Sequence, residues 1–95
     1  MSEDDFEWDA TKAEANHRKH GVDFETAMEV FDDPFAIEEP DLRQRNEERL
    51  LITGMVRGAL FTVVHTERAE RIRIISARPA TRREHDDYYS QKTHD

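Results

Sequence analysis

Three apolar runs in the second half of the chain, joined by links of a few residues, leave little freedom in the fold. Arg49–Met55 carries Leu50, Leu51 and Ile52, Ala59–Thr66 carries Leu60, Phe61, Val63 and Val64, and Arg71–Arg78 carries Ile72, Ile74 and Ile75. Each has the β-branched and aromatic density of a strand. The links, Gly54–Gly58 and Glu67–Glu70, are turns. Links this short cannot carry a crossover, so the three strands form an antiparallel meander.

The last strand raises a chemical question. Ile72 and Ile74 point to one face, and Arg71 and Arg73 to the other. Counted by twos, Arg78 falls on the apolar face of Ile72, Ile74 and Ser76. A guanidinium there requires a partner, because an unpaired buried charge costs several kcal/mol. It pairs with a carboxylate of the fold, or it is held at the lip of a cleft to meet an anion. Pro79 ends the strand, and Thr81 with Glu84 three residues on forms a capping box that opens a final helix. That helix has almost no apolar stripe beyond Tyr88 and Tyr89, so loose docking is expected.

Earlier in the chain, Phe6-Glu7-Trp8-Asp9 alternates as a short strand. Ala10–His20 is helix-forming, with His17, Arg18, Lys19 and His20 placed favourably in the last turn and Gly21 as the C′ residue. Asp23 caps a second helix in which Phe24, Ala27, Met28 and Phe31 recur at helical spacing, ended by Asp32-Asp33-Pro34. Phe35–Ile37 is a possible short strand, and Glu38–Glu48 reads as a polar loop. The order is βααβββα with one possible extra strand. It predicts an α+β domain over residues 1–95, with helices against one face of an antiparallel sheet of about four strands, and with residues 1–5 and 90–95 frayed.

Composition narrows the chemistry. The chain has no cysteine, which removes disulfides, thiolate metal sites and thiol nucleophiles. No apolar run approaches about 18 residues and no signal peptide opens the chain, so it reads as cytoplasmic, with no membrane contact. The formal charge of −8 opposes nucleic-acid binding, but it is unevenly spread. Residues 1–48 hold 16 acids against 5 bases, whereas Arg49–Arg83 holds 8 arginines against 2 acids. The strands are thus locally basic, as suits an anion-binding sheet, and an arginine-rich proteome gives the same bias with no site at all.

His17 and His20 sit three apart on a helix, but no third ligand follows at metal spacing, and the helix dipole explains the pair more simply; no metal or cofactor is expected. His65 shares the face of Phe61 and Val63, where a histidine is ordinarily a half-buried structural residue. The basic set of Lys19, His20, Arg49, His65, Arg68, Arg78, Arg82 and Arg83 reads either as solvated surface charge or as an electropositive cleft for an RNA backbone. Cleaving RNA without a metal needs a base for the 2′-hydroxyl proton, a cation for the phosphorane and an acid for the leaving 5′-oxygen. Histidine, lysine and arginine cover these roles, and exposed Tyr88 and Tyr89 would stack on bases.

The opening Phe6-Glu7-Trp8-Asp9…Lys12…Asn16…Lys19-His20-Gly21-Val22…Phe24…Ala27…Val30-Phe31…Asp33-Pro34 resembles the BrnT family, toxins of type II toxin–antitoxin pairs. The later Glu48-Arg49, Gly54, Val63–Arg68 and Arg71–Arg78 runs and Thr81-Arg82-Arg83-Glu84…Tyr88 match that family in order. The resemblance implies a RelE-like fold and a metal-independent ribonuclease that blocks translation and arrests growth. It further implies a BrnA antitoxin with a ribbon-helix-helix DNA-binding part, typically in a 2:2 complex on its own operator. Carried over by motif, Arg78, His65 and Arg49 are the catalytic candidates, with Lys19, His20, Arg68, Arg82 and Arg83 as substrate contacts. RNA presented on a ribosome would lessen the burden of the −8 charge.

Two further readings stay open. One is a degenerate toxin kept as antitoxin partner and co-repressor, favoured if Arg49, His65 and Arg78 are each paired with a carboxylate such as Glu48, Glu67 or Glu84. The other is an acidic nucleic-acid mimic built on residues 32–48, which the loop-like composition there opposes.

Overall fold

The computed structural model describes residues 2–43 and 48–92. After a 3₁₀ turn (Glu3–Asp5) the elements are β1 (Phe6–Glu7), α1 (Ala10–His20), α2 (Phe24–Val30), β2 (Ile37–Pro40), β3 (Leu50–Val56), β4 (Ala59–Arg68), β5 (Arg71–Pro79) and α3 (Arg82–Lys92). Local chemistry sets the helix ends. Asp9 accepts the Lys12 N–H at 3.0 Å, Asp23 accepts the Thr26 N–H at 2.7 Å, and Gly21 closes α1 at φ +71°.

The sheet has five strands in the order β1-β5-β4-β3-β2. The meander is antiparallel as its short links require, but β1 pairs with β5 in parallel, so the sheet is mixed. The segment read as loop from Glu38 contributes β2, which pairs with β3 from Ile37↔Thr53 to Pro40↔Leu50. Positions 44–47 of that expected loop, and 93–95 of the expected frayed end, lie outside the described residues.

Both hairpin turns are tighter than the sequence indicates. Gly54–Val56 belong to β3, leaving Arg57 (φ +47°) and Gly58 (φ +84°) as the turn. Glu67 and Arg68 belong to β4, leaving Ala69 (φ +49°) and Glu70 (φ +68°). Two consecutive residues at positive φ match the twist of the flanking strands, and the sheet holds the non-glycine residues in that unfavourable region.

One irregularity decides where the functional side chains point. Val64 pairs with Ser76, yet His65 pairs with Ile74, so Ile75 is a bulge. Ile74 and Ala77, three apart, therefore both enter the core beside Phe6, Phe24, Val30 and Val63. Arg78 is turned to the other face, and counting by twos from Ile72 fails because the extra residue shifts the alternation. The helices also divide. Helices α1 and α2 cover the core face, whereas α3 reaches Thr62 and Asp33 from the opposite side through Glu84 and Tyr88. No helix among the described residues is long and apolar enough to cross a membrane.

Candidate functional site

The sheet carries two polar constellations. At its centre, Thr53 and Thr62 of adjacent strands meet at 2.7 Å between hydroxyl oxygens, and Thr62 donates to Glu84 at 2.9 Å. Arg78, paired across from Thr62, donates through both Nη atoms to the two Glu84 oxygens at 2.7 and 3.0 Å. The Thr81 N–H adds a bond at 2.8 Å, and the Glu84 N–H donates back to Thr81 Oγ1 at 3.2 Å, completing the capping box. Burial alone would raise the Glu84 pKa; the guanidinium, the Thr81 amide and the Thr62 hydroxyl reverse this and hold it at about 2. Arg78 thus takes the carboxylate partner, and its charge is compensated within the fold.

Between the start of α1 and the neighbouring end of the sheet lies a cleft of about 270 Å³, lined by Asp9, Lys12, Arg49, Thr66, Arg68, Arg73, Ile74 and Ile75. Lys12 comes from the first turn of α1, Arg49 directly precedes β3, and Arg68 ends β4. Arg73 lies near the start of β5, where it donates to Glu7 at 3.1 Å. Thr66 Oγ1 donates to the Glu48 carbonyl at 2.7 Å, which holds the Arg49 backbone against β4. Asp9 also borders the cleft; the Lys12 N–H, against a smaller opposing effect of burial, lowers its pKa, with the Lys12 and Arg73 charges assisting. Four cations outnumber the two carboxylates beside them, Asp9 and the Glu7 partner of Arg73, which makes this a locally basic surface on an otherwise acidic chain.

His65 is elsewhere. It is 2% exposed on the core face, with its ring edge-on to Phe31 at 4.9 Å between centroids. Its Nε2 lies 3.2 Å from Glu38 Oε2, within ion-pair reach, yet neither ring nitrogen has a hydrogen bond of good geometry among the described residues. Burial lowers its pKa, with the nearby Glu38 charge opposing. A misaligned carboxylate does not offset the desolvation of an imidazolium, so the ring is neutral near pH 7.

A family model described as the ribonuclease toxin BrnT of type II toxin–antitoxin systems matches residues 8–84. The chain belongs to the BrnT family. Among curated proteins no match to it was found. Membership makes RNA the polymer on which the family acts, and an antitoxin its partner. The matched span contains both the cleft and the Arg78–Glu84 pair.

Within this BrnT chain the sequence-derived site residues separate into groups. Arg49 and Arg68 meet in the cleft, whereas Arg78 sits apart beside Glu84 and His65 lies beneath the sheet, so Arg49, His65 and Arg78 do not converge. Lys19 and His20 lie in the last turn of α1, away from the cleft that Lys12 lines, and among the described residues no group of three or more acidic, histidine or cysteine side chains is placed to share a metal. Arg82 is exposed at the start of α3, and Arg83 donates to Glu39 at 2.8 Å. Tyr88 is 1% exposed, not available for stacking on a base, and donates to Asp33 at 2.6 Å; Tyr89 remains exposed.

Sequence reasoning passed over Lys12 and Arg73 as site residues. Arg73 was legible as a cation on the polar face of its strand, the face that Arg49 and Arg68 share. Lys12 was not, because only the docking of α1 on β5 brings it there.

Proposed function

We propose that this BrnT chain is a metal-independent endoribonuclease whose substrate phosphate is held in the cleft of Lys12, Arg49, Arg68 and Arg73. The observation that supports it is the gathering of four cations in one cleft of a chain with net charge −8. In that reaction the 2′-oxygen attacks phosphorus as its proton leaves, and the bond to the 5′-oxygen breaks as that oxygen is protonated. The negative charge that builds on the phosphorane oxygens is what guanidinium and ammonium groups stabilise. Arg49, Arg68 and Arg73 supply planar forks and Lys12 a point charge. The partner is a BrnA-type antitoxin with a ribbon-helix-helix part, forming a 2:2 complex that represses its own operator, and the site of action is the cytoplasm.

A second reading, a non-cleaving partner and co-repressor, is favoured by the Arg78–Glu84 pair, which already occupies the Arg78 guanidinium, and by the burial of His65, which keeps that side chain from substrate. Tightly induced expression separates the readings. Wild type is expected to arrest growth and fragment total RNA, Arg49→Ala and Arg73→Ala to do neither, and the neighbouring antitoxin frame to relieve the arrest. Cleavage by the purified chain in excess chelator checks metal independence. A folded wild type that neither arrests growth nor cuts RNA establishes the second reading.

A further inference from the structure

Helix α1 carries one side of the cleft, yet the only residue it buries is polar. Asn16 is 7% exposed, and the rest of the helix is exposed or half-buried. Its side-chain amide is used on both sides. Oδ1 accepts the Ala77 N–H at 3.1 Å, while Nδ2 donates to the Ala77 carbonyl at 2.9 Å and to the Val22 carbonyl at 3.0 Å. The first two bonds reproduce what a neighbouring strand would give β5. They fall just past the Ile75 bulge, on the stretch of β5 that two-residue β1 does not reach, since β1 pairs only with Ile72 and Arg73. Asn16 therefore closes the remaining edge of β5 with one amide and ties it to α1 and to the α1–α2 link.

The geometry has a consequence for the cleft. Lys12 lies one helical turn before Asn16, on the same side of α1. Arg73 lies four residues before Ala77 on β5. The Asn16–Ala77 pairing thus sets the height and rotation of α1 against β5, and with them the distance between Lys12 and Arg73. A helix held by apolar packing alone can slide or roll at small cost; two bonds to one peptide unit fix a single register.

We infer that Asn16 is a positioning residue for RNA binding: it holds Lys12 in the cleft with Arg73 so that both contact the same stretch of phosphate backbone. The inference rests on the cleft being the phosphate site, and its test keeps the two apart.

The test measures binding of a 2′-O-methyl RNA oligonucleotide, which cannot be cleaved, to the purified full-length chain across a salt series. Wild type, Lys12→Ala, Asn16→Ala, Arg68→Ala and the double variants of Asn16 with each are compared, at a temperature where circular dichroism shows each to be folded. Each lost phosphate contact lowers the slope of log affinity against log salt by about 0.7. Asn16→Ala is expected to lose the same increment as Lys12→Ala, the Lys12/Asn16 double variant to lose no more, and the Asn16/Arg68 double variant to lose both increments. A merely structural asparagine would leave the slope of folded protein unchanged, and that result overturns the inference while the cleft stands. If Lys12→Ala and Arg68→Ala bind as wild type does, the cleft reading falls and the inference with it. Should Asn16→Ala not fold, Asn16→Leu keeps the side-chain volume and the charge of the chain and removes the acceptor and both donors. A folded Leu variant with the reduced slope supports the inference, one with the full slope overturns it, and failure of both variants to fold makes Asn16 a fold residue and also overturns it.

Discussion

At the scale of the residue, Glu84 shows how the polar face of the sheet is stabilised. Its folded pKa of about 2 lies below that of an unfolded glutamate, so the ionised form favours folding. By linkage this stability is fully present above about pH 4.5 and is lost as pH falls toward 2; it amounts to roughly 3 kcal/mol. Urea midpoints measured from pH 7 to 2 should fall over that window in wild type, and the Glu84→Gln variant should lack this part of the decline. Arg78→Ala alone should cost about 3–5 kcal/mol, because it leaves a buried carboxylate unpaired. The Arg78→Gln/Glu84→Gln double variant removes both charges and should recover most of that loss. If growth arrest survives in the double variant, Arg78 serves the fold and not the reaction. His65 has the opposite protonation logic. A base with a lowered folded pKa contributes stability above its unfolded value near 6.5, and that stability falls as acid charges it. His65→Leu should therefore gain on wild type as pH drops from 7 to 5, as thermal melts would show. The Thr81–Glu84 capping box was readable from four residues of sequence, and Glu84 was among the carboxylates named for Arg78; the burial of His65 was not readable, because alternation gives a face but not what covers it.

At the scale of the element, the Ile75 bulge and two packing contacts set the arrangement. Gly54 lies where β3 passes beneath α2, and a Cβ there would stand 3.0 Å from Val30 Cγ1, 3.0 Å from the Val30 carbonyl and 3.2 Å from Ala36 Cβ. Gly54→Ala should destabilise by about 1–3 kcal/mol through overpacking, read from denaturant midpoints. Helix α3 is better docked than its thin apolar stripe indicates, because its anchors are polar. Tyr88 donates to Asp33, which also accepts from the Met55 and Phe35 N–H groups, and Gln91 donates to the Phe35 carbonyl. Burial and the Asp33 charge both raise the Tyr88 pKa, so the phenol stays a donor across the ordinary pH range. Tyr88→Phe should cost about 1–2 kcal/mol and speed amide exchange in α3. Periodicity located α2 and the three long strands, while helix-forming composition and capping signals located α1 and α3. Periodicity missed the bulge, since one inserted residue leaves no compositional mark, and so placed Arg78 on the wrong face.

At the scale of the whole molecule, charge is sorted by the fold. The acidic front half gives up Lys12 to the basic strands, and the cations of β4, β5, the residue before β3 and one helix meet at one end of the sheet. Four phosphate contacts imply a salt slope near −3 for single-stranded RNA, and an affinity loss on the order of 50-fold between 50 and 200 mM salt. A purified chain with a flat salt profile would count against the cleft as the binding surface.

The sequence by itself determined the three helices, the three long strands and their antiparallel meander, the helix caps and the family, because each is written in local spacing or in an ordered series of motifs. Only the tertiary structure decided the parallel seat of β1, the side of the sheet that α3 covers, the partner of Arg78 and the cleft that joins Lys12 to Arg49, Arg68 and Arg73. Those depend on which faces meet, and an amide such as Asn16, bonded to a residue 61 positions away, fixes that without any local signature.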